Sequence, residues 1–425
     1  MVARAAFRIA AEGRSRQNSR LPMDTPAAPP HSAPPGSAPP APRIVRDDVP
    51  LAAIPPAQWD ALAPGQPLLS HAFLSALHET GCASPATGWH PRYVTAWTGA
   101  SLTGALPLYA KSHSYGEYVF DWAWADAYRR HRRRYYPKLV AAIPFTPTSG
   151  PRLLAPDGPT RDALLAHALS LLGGGAYSSL HVLFATDDDA ARCAEAGMPI
   201  RHGVQFHWDN PGYRDFADFL AGFNHDKRKK VKQERRRVAE AGVTFTRRTG
   251  RDITAADWAF FHACYTLTYH AHGSTPYLSL EFFEAIGRTM AEHLLLVVGE
   301  RDGRPICAAL DVYTADTLWG RYWGTAEYVP GLHFEACYHQ AIEFCIERGI
   351  ARFEGGAQGA HKLARGLLPV TTSSAHAIAD PDFAAAIADF CARERSQVAQ
   401  AVDELETASP FKTPPLDVTL PDEAR

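Results

Sequence analysis

The sequence predicts an α/β (α+β) protein of two tandem, similar units, each a mixed, mostly antiparallel sheet flanked by helices. Three observations carry this reading. A strand–turn–strand pattern occurs twice, about two hundred residues apart. Amphipathic stretches with helical spacing separate the strands. At 425 residues, the chain also exceeds what one hydrophobic core usually serves. An apolar fraction of 46% with 21% charged residues describes a soluble globular protein rather than a disordered or fibrous one. Apolar runs such as LLLVV (Leu294 to Val298) stop far short of the ~20 residues a membrane span needs, so no stable membrane insertion is expected. Seven dispersed cysteines with no C-x-x-C pair argue against a disulfide framework or structural zinc and point to a reducing, cytoplasmic setting.

Residues 1–42 differ in kind, being Arg/Ala-rich and then Pro-rich. Such a segment buries too little apolar surface to offset chain entropy and is expected to be disordered. It has no apolar h-region and so is not a secretory signal, although its Arg-rich, acid-poor composition would suit a transit peptide. Translation could start at Met1 or at Met23. The first unit is expected over residues 43–210. RYVTAWT (Arg92 to Thr98) and SLTGALPLY (Ser101 to Tyr109) form a hairpin turning at Gly99-Ala100. GEYVFDW (Gly116 to Trp122) reads as a third strand, residues 125–136 as a helix, and VAAIPF (Val140 to Phe145) as the next strand. SLHVLFA (Ser179 to Ala185) and GVQFHW (Gly203 to Trp208) complete the unit.

The second unit is expected over residues 211–406. LLLVVGE (Leu294 to Glu300) and PICAALDVY (Pro305 to Tyr313) flank Asp302-Gly303, a tight-hairpin signal, and TLWGRYWG (Thr317 to Gly324) follows. Apolar or small residues at Phe334, Cys337, Tyr338, Ala341, Ile342 and Cys345 mark one buried helix face, with Gly349 as its C-terminal cap. IARFEGG (Ile350 to Gly356) is then a strand reached by crossover, giving the order β-β-β-α-β. Asp380 to Leu405 reads as a closing helix and 407–425 as a tail. Elements near 101 and 305, 116 and 317, and 140 and 350 correspond at offsets of 204, 201 and 210 residues, which suggests duplication.

Two segments stand out for chemistry. The run HDKRKKVKQERRR (His225 to Arg237) concentrates eight cations, Arg228, Lys229 and Lys230 among them, on an expected helix. Such a field suits phosphate or RNA, with salt-sensitive binding, whereas its plain alternative is a solvated helix face. A second cluster, Arg129 to Arg134, lies on the expected helix of the first unit and lacks interleaved exposed aromatics. In EGGAQGAHKLARG, Gly355, Gly356 and Gly359 permit close backbone approach to a ligand, with Gln358 between them. Lys362 and Arg365 then present cations suited to a phosphate or carboxylate. Side chains able to accept a proton beside this loop are Glu354, His361 and Glu335. Glu335 also has a bland explanation, since acids suit helix N-termini. No G-x-S-x-G, H-E-x-x-H or P-loop motif is present, which argues against the corresponding hydrolase, zincin and nucleotidase chemistries.

The β-β-β-α-β order with a splayed strand pair is the core of the GNAT acyltransferase fold, and two such units in tandem resemble the Fem family of aminoacyl-transferring enzymes. More closely, the chain resembles FemAB-like proteins of peptidoglycan biosynthesis, or N-acyltransferases. The resemblance covers roughly residues 45–400. In the first half YVFDWAWADAYRRH (Tyr118 to His131), PFTPTSGPRLLA (Pro144 to Ala155), SSLHVLF (Ser178 to Phe184) and GVQFHW carry it. In the second half GRYWG (Gly320 to Gly324), LHFEACYHQAIE (Leu332 to Glu343) and EGGAQGAHKLARGLLP (Glu354 to Pro369) do so. It implies transfer of an acyl group, with acyl-CoA or aminoacyl-tRNA as co-substrate and no further cofactor required. The acceptor would be a small-molecule or cell-envelope-precursor amine, and tRNA is a candidate partner. Lys362 matches the lysine that follows the corresponding strand in Fem-like proteins, so a donor-binding or charge-stabilising role carries over. In GRYWG, Tyr322 would donate to the leaving group, and Arg321 and Trp323 beside it are candidates for donor contact.

One departure concerns the Q/R-x-x-G-x-G/A turn with which GNAT enzymes bind the coenzyme A pyrophosphate. Here that connection is TAEYVPGLH (Thr325 to His333), with the single glycine Gly331. Two rival readings are a non-catalytic protein that recognises envelope fragments and an RNA-binding protein.

Overall fold

The structure, a computed structural model, describes residues 43–357 and 359–412. Fourteen strands are present among these residues. They are β1 (Arg43–Arg46), β2 (Trp89–Pro91), β3 (Val94–Thr98), β4 (Ser101–Leu106), β5 (Leu108–Lys111), β6 (Lys138–Ala141), β7 (Ser179–Ala185) and β8 (Ile200–Asp209) in the first half. The second half adds β9 (Val243–Thr249), β10 (Leu294–Arg301), β11 (Arg304–Tyr313), β12 (Thr317–Thr325), β13 (Arg352–Ala357) and β14 (Leu368–Ile378). Eleven of them form one sheet in the order β2-β5-β6-β7-β14-β8-β13-β12-β11-β10-β9, and β1, β3 and β4 form a second. Only β6/β7 and β12/β13 pair in parallel, so the sheet is mixed and mostly antiparallel, as expected.

The main helices are α1 (His71–Glu79), α2 (Trp122–Arg130), α3 (Gly158–Ser170), α4 (His225–Glu240), α5 (Ala255–Ala271) and α6 (Leu280–Thr289). They are followed by α7 (residues 332–348) and α8 (Pro381–Thr407). Each parallel pair is joined through a helix, β6–α3–β7 and β12–α7–β13, the connection parallel strands require. The halves then exchange their last strands. β8 pairs with β13, and the C-terminal β14 lies between β7 and β8, so the sheet runs unbroken across the boundary expected near residue 210.

LLLVV reads as a continuous apolar run because β10 is covered on both faces. Leu294, Leu296 and Val298 join one core with α1, α5 and α6, whereas Leu295 and Val297 join another with α4 and α7. The hairpin signal is realised with positive φ at Asp302 and Gly303, and Gly349 caps α7 in the left-handed region. Within α7 the segment Glu335–His339 is a π turn, which re-phases the helix beside the sheet.

Three first-half expectations are corrected. Gly116–Trp122 is not a strand, because Gly116 (φ 80°) and Tyr118 (φ 61°) leave the β region. The buried carboxylates of this loop, Glu117 and Asp121, turn instead to Lys138 on β6. The helix expected at 125–136 is α2, which is not the crossover helix. The true counterparts of β12 and β13 are therefore β6 and β7, and the near-constant offset holds only for the first hairpin.

Candidate active site

β12 and β13 pair only at Thr317↔Arg352, Leu318↔Phe353 and Trp319↔Glu354, and beyond that point they part. The separation opens a cavity of about 340 Å³. Gly320, Arg321, Tyr322 and Trp323 of β12 form one wall, and Gly355 and Gly356 of β13 the other. Tyr265, Thr268 and Tyr269 of α5 close it on one side of the sheet, and His333, Cys337 and Tyr338 of α7 on the other. His361 and Lys362 enter from the loop after β13, while Tyr118, Phe145 and Pro147 come from the first half.

The loop after β13 depends on glycine, with Gly356 at φ 77° and Gly359 at φ 115°. This path folds Lys362 back so that its Nζ donates to the Gly356 carbonyl at 2.9 Å. Lys362 is 3% exposed, and burial pulls its ammonium down to about 8. His361 lies 3.2 Å from the Tyr338 hydroxyl through Nε2. Burial and the adjacent Lys362 and Arg365 lower its basicity, so the imidazole is neutral at pH 7.

A β-bulge between Leu310 and Asp311 leaves Arg321 as the extra residue on β12. Arg321 Nη2 donates to the Phe145 carbonyl at 2.7 Å, to Thr146 Oγ1 at 3.1 Å and to the Tyr322 hydroxyl at 2.9 Å. Tyr322 in turn donates to the Phe145 carbonyl at 3.0 Å. These two residues thus tie β12 to the first-half wall.

With this arrangement in view, comparison with known proteins places the chain. A family model described as FemAB-like, peptidoglycan biosynthesis/recognition, matches residues 50–413. The chain belongs to the FemAB-like family. Among solved structures it is similar to FemX, with a TM-score of 0.48 and 12% identity over 75% of this chain and 96% of that one. It is similar to L-PGS from Bacillus licheniformis (TM-score 0.47, 11% identity, 76% and 91% covered). A tandem GNAT protein from the clavulanic acid biosynthesis pathway is also similar (TM-score 0.42, 14% identity, 80% and 99% covered). No curated protein matches the chain.

In this FemAB-like chain the expected site residues divide. His361, Lys362, Arg321, Tyr322, Trp323, Gly355 and Gly356 meet around the cavity. Glu354 is not among its lining residues. Strand alternation sends Phe353 and Gly355 to the cavity and Glu354 toward Trp319 and His207, whose Nε2 is 4.0 Å from the carboxylate. Burial raises the Glu354 carboxyl to about 7. The folded state therefore holds this proton more tightly than the unfolded chain, and stability falls as pH rises from about 4.5 to about 7. Glu354→Gln is expected to leave stability unchanged at pH 4 and raise it at pH 8, read from urea unfolding midpoints.

Glu335 is also outside the cavity, held by Arg235 at 2.8 and 3.0 Å and by Gln340 Nε2 at 2.8 Å. Its acidity at this position answers an arginine on α4 rather than a helix terminus. Arg365 grips Glu234 at 2.7 and 2.8 Å, donates to the His361 carbonyl and stacks 3.5 Å over the Phe334 ring. It braces the loop from behind. Gly359 shapes the loop, and Gln358 lies outside the described residues. Arg228 and Lys229 line a surface depression on the outer face of α4 with His225, Lys232, Gln233 and Arg236, and Lys230 is exposed beside it. The inner face of α4 carries Glu234 and Arg235, so the basic helix backs directly onto the cavity loop.

Sequence reasoning missed Asp311. This residue is 2% exposed, lines the cavity floor beside Cys337, and has an Oδ2 with no hydrogen-bond partner among the described residues. Burial raises its carboxyl well above the ordinary range and so favours its protonated form. The signal was a lone carboxylate within the apolar run PICAALDVY.

Proposed function

We propose that this FemAB-like protein is an N-acyltransferase or aminoacyltransferase that moves an acyl group from acyl-CoA or aminoacyl-tRNA to the amine of an envelope precursor. The observation that carries this reading is the opening between β12 and β13, where the His361 imidazole, the buried Lys362 ammonium and the buried Asp311 carboxyl line one cavity. The amine nitrogen attacks the acyl carbonyl carbon, and His361 takes the proton that nitrogen loses. Lys362 stabilises the oxyanion of the tetrahedral intermediate, and Asp311 supplies a hydrogen bond from its protonated carboxyl. Collapse breaks the carbon–oxygen or carbon–sulfur bond to the leaving group, which takes the proton back from His361. Tyr322 and Arg321 position the acyl end and hold the first-half wall, where the acceptor enters past Tyr118 and Phe145.

The outer face of α4 supports a phosphate-rich donor. Its cations lie behind the loop that carries Lys362, and the β12–α7 connection keeps only Gly331 where a pyrophosphate-binding turn would need several glycines. Mass spectrometry of the purified protein with and without nuclease tests the donor, paired with transfer assays from charged tRNA and from acyl-CoA. Nuclease-sensitive RNA with transfer from charged tRNA is expected. Bound acyl-CoA would overturn the tRNA donor, and no transfer from either would overturn the enzymatic reading.

A further inference from the structure

The segment leading into α2 turns aromatic side chains toward solvent. Tyr115, Phe120 and Trp122 are 56, 50 and 39% exposed, and all three fall within residues 115–122. The backbone that presents them is fastened to the core. Between them Glu117 and Asp121 turn inward to Lys138, and the buried Lys111 donates to the Tyr115 carbonyl at 3.2 Å.

The Arg129–Arg134 cluster carries only His131 between its arginines along the sequence, yet the fold brings larger aromatics against it. Trp122 lines one surface depression with Arg129, Arg132, Arg133, Tyr135 and Tyr136, and Tyr115 packs on Trp122 with ring centroids 4.9 Å apart. Arg130 and Arg134 are exposed beside them. Asp126 answers Arg129 and Arg130, and Asp380 lies 4.0 Å from Arg133. Arg132 and Arg134 have no acidic partner among the described residues, so the patch keeps a net positive charge.

We propose that this patch is a peripheral docking surface for a bilayer of anionic lipid. Trp and Tyr rings suit the headgroup level, with the apolar body inward and the polar edge in water, and Phe120 adds apolar surface. Guanidinium groups meet lipid phosphates through paired hydrogen bonds. Single-stranded nucleic acid fits the patch less well. Stacking needs open ring faces, and Tyr115 and Trp122 meet edge to face at 60°. Tyr118, on the same segment, lines the β12–β13 cavity, so a docked molecule would carry that cavity at the lipid surface. The proposal does not rest on the acyl-transfer reading.

The full chain is sedimented with phosphatidylcholine vesicles and with vesicles containing about one-third phosphatidylglycerol, and its binding to single-stranded RNA is measured alongside. It should bind the anionic vesicles at least about tenfold more tightly than the neutral ones, and raised salt should weaken that binding. Arg132→Glu/Arg134→Glu should cost about tenfold in affinity for anionic vesicles, and Trp122→Ser should also weaken it. Lys229→Glu/Lys230→Glu on α4 should retain it, which separates this patch from the other basic face. All five positions are exposed, so circular dichroism should show the fold unchanged. Equal binding to both vesicles, binding to neither, or loss through the α4 variant alone would overturn the proposal. So would an Arg132→Glu/Arg134→Glu variant that loses RNA but keeps the anionic vesicles. Vesicle binding needs no turnover, so this result and the transferase reading stand or fall separately.

Discussion

Lys362→Met should lower acyl transfer by about 10²–10³-fold while leaving the fold intact. The fold-change is that of removing one group that meets the developing oxyanion. Methionine keeps the length and apolar stem of lysine, so the packing around Gly355 and Leu367 survives. Burial holds the Lys362 ammonium at about 8, below the usual lysine value of 10.5. The unfolded chain therefore binds this proton more tightly between those values, and the charged lysine is a net cost to folding below about pH 8 that fades as pH rises toward 10.5. Lys362→Met should accordingly be more stable than the wild type at pH 7 and lose that advantage near pH 10.5. A variant that is more stable and yet inactive separates a catalytic lysine from a structural one. Retained transfer at neutral pH would remove Lys362 from the mechanism.

Lys138→Met should destabilise the protein by about 3–5 kcal/mol, the cost of leaving buried charges without their partner. Lys138 is fully buried, with Nζ 2.7 Å from Glu117 and in contact with Asp121, and it also donates to Ser114 at 2.8 Å. Without the ammonium, two carboxyls remain enclosed beside each other. Burial already raises Glu117 to about 7. Protonation should relieve part of the penalty, so the loss measured by urea unfolding should be smaller at pH 5 than at pH 8. A change under 1 kcal/mol at both pH values would mean the loop 112–121 is held by other contacts.

The second half of the fold was legible because its signals are local. Burial of β10 on both faces, the Asp302-Gly303 turn and the helical spacing from Phe334 to Cys345 each act within a few residues. GEYVFDW failed because its Tyr118-Val119-Phe120 core is of the aromatic and β-branched kind that strands favour, while Lys138, which claims Glu117 and Asp121, lies about twenty residues away. The exchange of β8 and β14 has no local signature at all. Within the candidate site, the Gly-rich loop and Lys362 could be read from composition. The bracing roles of Arg365 and Glu335 could not, since their partners Glu234 and Arg235 sit on a helix about a hundred residues earlier. Asp311 left a trace as the one carboxylate of an apolar run, but its burial depends on α5 and α7 covering β11 from both sides, which no local pattern states.

The β12–β13 opening as the place of acyl transfer is tested most directly by a crystal structure with a non-hydrolysable donor, either a 3′-aminoacylamido-adenosine or an acyl-CoA thioether. The acyl carbon of one of them should lie between Arg321 and Gly356, with Lys362 Nζ and His361 within hydrogen-bond reach of the reacting atoms. A donor seated elsewhere on the protein, with that opening still empty, would contradict the mechanism.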